Sequence, residues 1–119
     1  MPNALIDLTT PDDFDRLIAR SASGPVVVYK HSLTCGTSAA AFEEIAELPS
    51  MLPDVPIGVV NVQTARSLSN YIANRMSVRH ESPQVFIVSA GAVRWHASHF
   101  RVTADGFVAA LKRLEAPPA

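Results

Sequence analysis

Val26-Val27-Val28-Tyr29-Lys30-His31-Ser32-Leu33-Thr34-Cys35-Gly36-Thr37-Ser38 decides how the rest of the chain is read. The apolar run from Val26 to Lys30 has no polar face, as expected of a strand covered on both sides in the middle of a sheet. The residues from Ala39 to Leu48 are strong helix formers, with Ala41, Phe42, Ile45 and Leu48 at helical spacing. The only cysteine of the chain, Cys35, therefore falls where a strand gives way to a helix. A thiol there meets the unpaired N–H groups and the positive dipole end of the helix, both of which favour the thiolate.

Outward from this stretch, the rest of the chain supplies one domain of 119 residues, long enough for one core and too short for two. Charged residues make up 18% and the net charge is -1, so a nucleic-acid surface has no electrostatic basis. The start, Met1-Pro2-Asn3-Ala4, shows no basic segment leading into an apolar core, and no apolar run reaches membrane-spanning length. A cytoplasmic protein without membrane or nucleic-acid partners is expected. A single cysteine allows no internal disulfide, so disulfide chemistry must be intermolecular.

Before the strand, Thr9-Thr10-Pro11-Asp12-Asp13 has the hydroxyl, proline and acids of a helix start. Phe14, Leu17 and Ile18 then share one face, and Ser23-Gly24-Pro25 ends the helix. After Leu48, Pro49, Pro53 and Pro56 mark a loop, and Ile57 to Val62 reads as a second strand. Thr64 is placed to cap a helix carrying Leu68, Tyr71, Ile72 and Met76. Val85 to Val88 is a third strand, and Ala90-Gly91 is a two-residue turn returning it as Ala92 to Ala97. There Val93, Trp95 and Ala97 alternate with Arg94, His96 and Ser98, which assigns Trp95 to the core. Thr103 caps a last helix buried through Phe107, Val108, Leu111 and Leu114, and residues 116–119 are a short tail.

The order α-β-α-β-α-β-β-α, with right-handed crossovers, predicts an α/β fold: a central four-stranded mixed sheet flanked by helices on both faces. That arrangement resembles a thioredoxin-like domain, with Cys35 at a helix start and Ser82-Pro83 ahead of the hairpin. Within that superfamily, His31-Ser32-x-x-Cys35, Arg79-His80-Glu81-Ser82-Pro83-Gln84 and Trp95-His96-Ala97-Ser98-His99 resemble the motifs of the monothiol bacilliredoxins of the YtxJ type. The resemblance runs from about Phe14 to Leu114. It implies a cis peptide before Pro83.

Cys35 is the candidate nucleophile, set among small polar neighbours that leave its sulfur open; a buried apolar cysteine is the alternative. His31, if protonated, adds positive charge beside the thiol, or else hydrogen-bonds the turn. Ser38 stands where a dithiol oxidoreductase carries a second cysteine, making the motif C-x-x-S. It can donate to the thiolate, cap the first turn, or do both. Thr34 and Gly36 flank the thiol and are candidates to border the substrate. So are Arg79, His80, Ser82 and Pro83: a cis-proline loop exposes the Ser82 backbone to an extended substrate segment. Arg79 and His80 either meet carboxylates of a small thiol or are solvated loop residues. No metal site is expected, because His31, Cys35 and His80 lack the spacing of a ligand set and His96 and His99 along a strand are a poor chelate.

The resemblance implies a monothiol thiol-disulfide oxidoreductase that removes bacillithiol from S-bacillithiolated proteins through a Cys35 mixed disulfide. Bacillithiol is then the thiol co-substrate, its malate carboxylates suiting Arg79 or His80. The partners are S-thiolated cytosolic proteins and a recycling reductase. Gly36-Thr37 are smaller than the pair expected beside this cysteine. The rival from another class is a non-catalytic thioredoxin-like module that holds a partner or an iron–sulfur cluster. A cluster would need an oligomer, since one cysteine cannot supply four thiolates.

Overall fold

The computed structural model describes residues 5–32 and 36–115. The chain runs β1 (Ile6–Leu8), α1 (Pro11–Arg20), β2 (Val26–His31), α2 (Gly36–Ala46), α3 (Leu48–Met51), β3 (Ile57–Asn61), α4 (Arg66–Met76), β4 (Gln84–Ser89), β5 (Ala92–Ser98), a 3-10 turn (His99–Arg101) and α5 (Ala104–Glu115). The strand order is β1-β3-β2-β4-β5. β1 and β2 run parallel to β3, whereas β4 is antiparallel to β2 and to β5.

β2 lies at the centre of the sheet, and the alternation of its side chains divides the core in two. Val27 and Tyr29 pack with Val85, Ile87 and Ala97 against Ala41 and Ile45 of α2 and Phe107 and Leu111 of α5. Val26 and Val28 pack with Val60, Phe86 and Val88 against Phe14, Leu17 and Ile18 of α1 and Leu68 and Ile72 of α4. This explains the unbroken apolar run, because both of its faces are covered. Each such fully buried aliphatic or Phe side chain contributes about 1.5–3 kcal/mol relative to exposure.

The start of α1 forms as its sequence dictates. Thr10 Oγ1 accepts from Asp13 N at 3.2 Å, and Asp13 Oδ2 accepts from Thr10 N at 3.2 Å. Thr9 adds two further donors, its N–H and its hydroxyl, and these hold the Asp13 carboxyl down to about 2. At the other end of α1, buried Ser21 reaches the β4–β5 turn. Its carbonyl accepts from Ala90 N and its Oγ accepts from Gly91 N, each at 2.9 Å. Ala90 and Gly91 both have positive φ, 52° and 79°, as a two-residue hairpin turn requires.

The sheet has five strands rather than the expected four. β1 is only three residues long and joins an edge by pairing with Ile57–Asn61, a segment too short for alternation to declare it. The prolines after Leu48 do not give a plain loop: Pro49 sits in the first turn of α3, where its missing N–H costs nothing. Thr64 does not cap α4. The N-cap is Ala65, and Asn61 Oδ1 instead accepts from Gln63 N at 3.0 Å, closing the turn ahead of it. Leu114 is exposed, and Ala104 and Ala110 fill the α5 face with Phe107 and Leu111. The 116–119 tail lies outside the described residues.

One departure lies in the hairpin itself. Ile87 pairs with Trp95 but Val88 pairs with Val93, so Arg94 is an extra residue in β5. The bulge turns Val93 to the α1/α4 side while Trp95 and Ala97 stay on the α2/α5 side. Simple alternation had placed all three together. Trp95 is partly buried and packs against the α2/α5 core, its ring edge-on to Phe107 at 6.1 Å.

Candidate functional site

Three sequence motifs meet at one end of the sheet because β2 and β4 are antiparallel. Lys30 pairs with Gln84, so β2 ends at His31 beside the point where β4 begins. Gln84 also pairs with Ser98 at the end of β5. His99 N then donates to Pro83 O at 2.9 Å, tying the third motif to the second. The Ser82–Pro83 peptide is cis. α2 opens at Gly36, directly after Cys35 in the sequence. Thr34 and Cys35 themselves lie outside the described residues, as does the Ser38 side chain, although Ser38 belongs to the first turn of α2.

His31 and Lys30, adjacent in sequence, part to opposite faces. His31 is half-buried on the α2 side, its ring 5.0 Å from that of Phe42 and 5.7 Å from that of Tyr29. Its Nδ1 lies 3.2 Å from Tyr29 Oη. Burial pushes its pKa below the ordinary histidine value, so at neutral pH the imidazole is uncharged. Tyr29, which its Nδ1 reaches, lies on β2 itself.

The charge at the end of β2 belongs instead to Lys30, which points to the α4 side and has no exposed surface. Its Nζ donates to Ser69 O at 3.3 Å and lies 3.2 Å from His80 Nδ1. Ser69 Oγ is 3.0 Å from that same nitrogen. Desolvation lowers the Lys30 pKa to about 8, which still leaves the ammonium mostly protonated at neutral pH. Burial, then Lys30, then Arg66 push His80 below its ordinary value, with Glu81 opposing them. Lys30, Ser69 and Gln84 were not singled out from the sequence. The available signal was a lysine at an interior position of an otherwise apolar strand.

Arg79 and His80 diverge. His80 turns its Nδ1 inward to Lys30, whereas Arg79 borders an open cleft of about 710 Å³ between the end of α4 and β5, along with Arg75, Glu81, Gln84 and His96. Arg75 is already paired with Asp15. The Ser98 hydroxyl, followed by His99, Arg79 and His96, holds the Glu81 carboxyl below its ordinary value. His99 stands in the 3-10 turn rather than on the strand expected for it, 4.0 Å from Glu81. Two polar atoms by the cis-proline, Ser82 Oγ and Gln84 Oε1, are buried with no hydrogen-bond partner among the described residues. Gln84 Nε2 donates to Arg79 O at 3.1 Å. Among the described residues no group of three or more His, Cys, Asp or Glu is placed to hold a metal, and no helix is long and apolar enough to cross a membrane.

Comparison with known proteins agrees with this frame. Residues 6–107 match the family model for monothiol bacilliredoxin BrxC. The chain is similar to a solved candidate oxidoreductase with a thioredoxin fold, at 34% identity and a TM-score of 0.80, covering 89% of this chain and 92% of that one. Fasciola hepatica thioredoxin matches at 18% identity and a TM-score of 0.75, over 92% of this chain and 98% of its own. Thioredoxin O2 from Arabidopsis thaliana matches at 21% identity and a TM-score of 0.73, over 94% and 95%. The last two show the fold alone.

Proposed function

Because the chain belongs to the monothiol bacilliredoxin family, within the thioredoxin-like superfamily of thiol oxidoreductases, we propose that it is a monothiol disulfide reductase that removes bacillithiol from S-bacillithiolated cytosolic proteins. The Cys35 thiolate attacks the bacillithiol sulfur of a protein mixed disulfide. The Cys35–S–S–bacillithiol bond forms, the protein–bacillithiol bond breaks, and the protein leaves as its thiolate, which takes a proton from water. A second thiol or a recycling reductase then attacks this intermediate and restores the Cys35 thiolate. Each step is a thiol–disulfide exchange without net oxidation.

The observation that carries this reading is the position of the lone cysteine. In the sequence it immediately precedes α2, and β2, which leads toward it, ends at His31 beside the start of β4 that follows the Ser82–Pro83 step. With serine at position 38, a helix-start thiol is activated but has no second cysteine to resolve its adduct. Arg79, on the open cleft, is the side chain offered to the carboxylates of the small thiol. His31 packs the α2 side of the site as a neutral imidazole.

The test is intact-mass spectrometry after exposure to oxidised bacillithiol and, in parallel, to oxidised glutathione. The expected product carries one small thiol on Cys35, forms faster with bacillithiol, and is absent in Cys35→Ser. Absence of any adduct on the wild-type chain would return it to the class of thioredoxin-like binding modules.

A further inference from the structure

A lysine buried without a carboxylate partner among the described residues is costly, so its position calls for a reason. Lys30 Nζ can only donate. Its targets are Ser69 O and His80 Nδ1, and Ser69 Oγ lies on the same ring nitrogen. A proton on Nδ1 would confront an ammonium at 3.2 Å. Nδ1 is therefore the acceptor, and the ring proton sits on Nε2. The groups facing this imidazole are Lys30 from β2, Ser69 and Arg66 from α4, and Glu81 on its own loop. His80 is an exposed residue, with its Nδ1 side turned to the interior. Two cations, Lys30 and Arg66, against one acid favour an anionic ligand there.

We propose that Lys30 is a positioning residue that holds His80 as its neutral Nε2–H tautomer, with Ser69 beside the same ring nitrogen, so that the loop ahead of Pro83 offers a donor backed by a buried ammonium to a carboxylate on the small thiol of the substrate. This rests on the disulfide-reductase reading for the identity of the ligand, but not for the tautomer. Lys30 touches no substrate. It acts through His80 and makes the loop selective for anionic over neutral thiols. Arg79, directed to the neighbouring cleft, is a separate contact.

The experiment has two arms, both on the full chain. In the first, two-bond proton–nitrogen correlation spectra of the histidine side chains are recorded across neutral pH. The Nε2–H pattern is expected for His80 in the wild type, with its titration moved upward in Lys30→Met because a neighbouring cation is lost. Ser69→Ala, which keeps the ammonium, is expected to retain the tautomer. An Nδ1–H pattern, or an even mixture of the two forms, in the wild type overturns the proposal without recourse to any variant.

In the second arm, the rate of Cys35 adduct formation is compared for oxidised bacillithiol, whose malate groups carry carboxylates, and for neutral hydroxyethyl disulfide. Lys30→Met is expected to slow the first by about tenfold, the value of one charge-assisted hydrogen bond, and to leave the second within about twofold. Equal losses on both probes assign Lys30 a purely structural role and overturn the selectivity. If the wild type reacts with neither probe, the reductase reading fails and the assigned ligand fails with it, while the spectra still decide the tautomer.

Discussion

Lys30 of β2 and Gln84 of β4 stand opposite each other across an antiparallel ladder, both buried on the α4 side of the sheet. The pair puts a charge, and an amide oxygen with no partner among the described residues, under the start of the cis-proline strand. Such a pair is expensive to bury, so it should leave a mark on stability.

That mark is pH-dependent. The folded chain releases the Lys30 proton near pH 8, whereas an unfolded lysine holds it to about 10.4. Between these values the unfolded state binds more protons, so stability should rise with pH across the window. Tyr71 acts oppositely: its hydroxyl donates to Asp15, which raises its pKa, so its contribution is lost as pH rises past the ordinary tyrosine value. Chemical denaturation of wild type and Lys30→Met should therefore be compared as a difference. The expected difference grows from about pH 8 upward; a flat difference would remove Lys30 as its source.

Replacing Ser38 with cysteine should change how the reaction ends. In the wild type the Cys35 adduct waits for a bimolecular collision. In Ser38→Cys an internal thiolate attacks Cys35 and expels the small thiol, since a loop this short closes in roughly tens of nanoseconds or less. Mass spectra should show the adduct replaced by an internal disulfide. A persistent adduct in the variant counts against the monothiol mechanism.

Gly58 leaves the space that two leucines fill. A Cβ there would lie 2.6 Å from Leu8 Cδ1 and 2.6 Å from Leu17 Cδ2. Gly58→Ala should destabilise the fold by about 1–3 kcal/mol through overpacking, read by urea unfolding. An unchanged midpoint would mean the leucines swing aside freely.

Ser82→Ala should leave stability unchanged or slightly raised, because the hydroxyl it removes is buried without a partner among the described residues. Thermal unfolding tests this directly. A clear loss of stability would show that the Ser82 hydroxyl has a partner in solution.

Much of the frame was legible because apolar periodicity, capping residues and turn chemistry act locally. The unbroken run at Val26, the Thr10–Asp13 box and the Ala90-Gly91 turn each dictate their own element. Features that depend on distant neighbours were hidden. β1 exists because β3 offers it an edge, and the bulge at Arg94 reverses Val93 in a way no alternation shows. At the site, the motifs named Arg79 and His80 as a pair, but only packing shows that one turns inward to Lys30 and the other outward to a cleft. Lys30 was absorbed into the covered strand and given no role, because its hydrogen-bond partner Ser69 lies on a helix formed later in the chain.

Hairpin tips are ordinarily where a chain can be cut, lengthened or opened with little loss. The contact between Ser21 and the β4–β5 turn removes that freedom here. One buried serine ties amides across a span of 70 residues, so the tip cannot detach without undoing the end of α1. The amide protons of Ala90 and Gly91 should therefore exchange with solvent about as slowly as those of the adjoining strands. Proteases should pass over this turn, and an insertion between Ala90 and Gly91 should be felt at the opposite end of the chain.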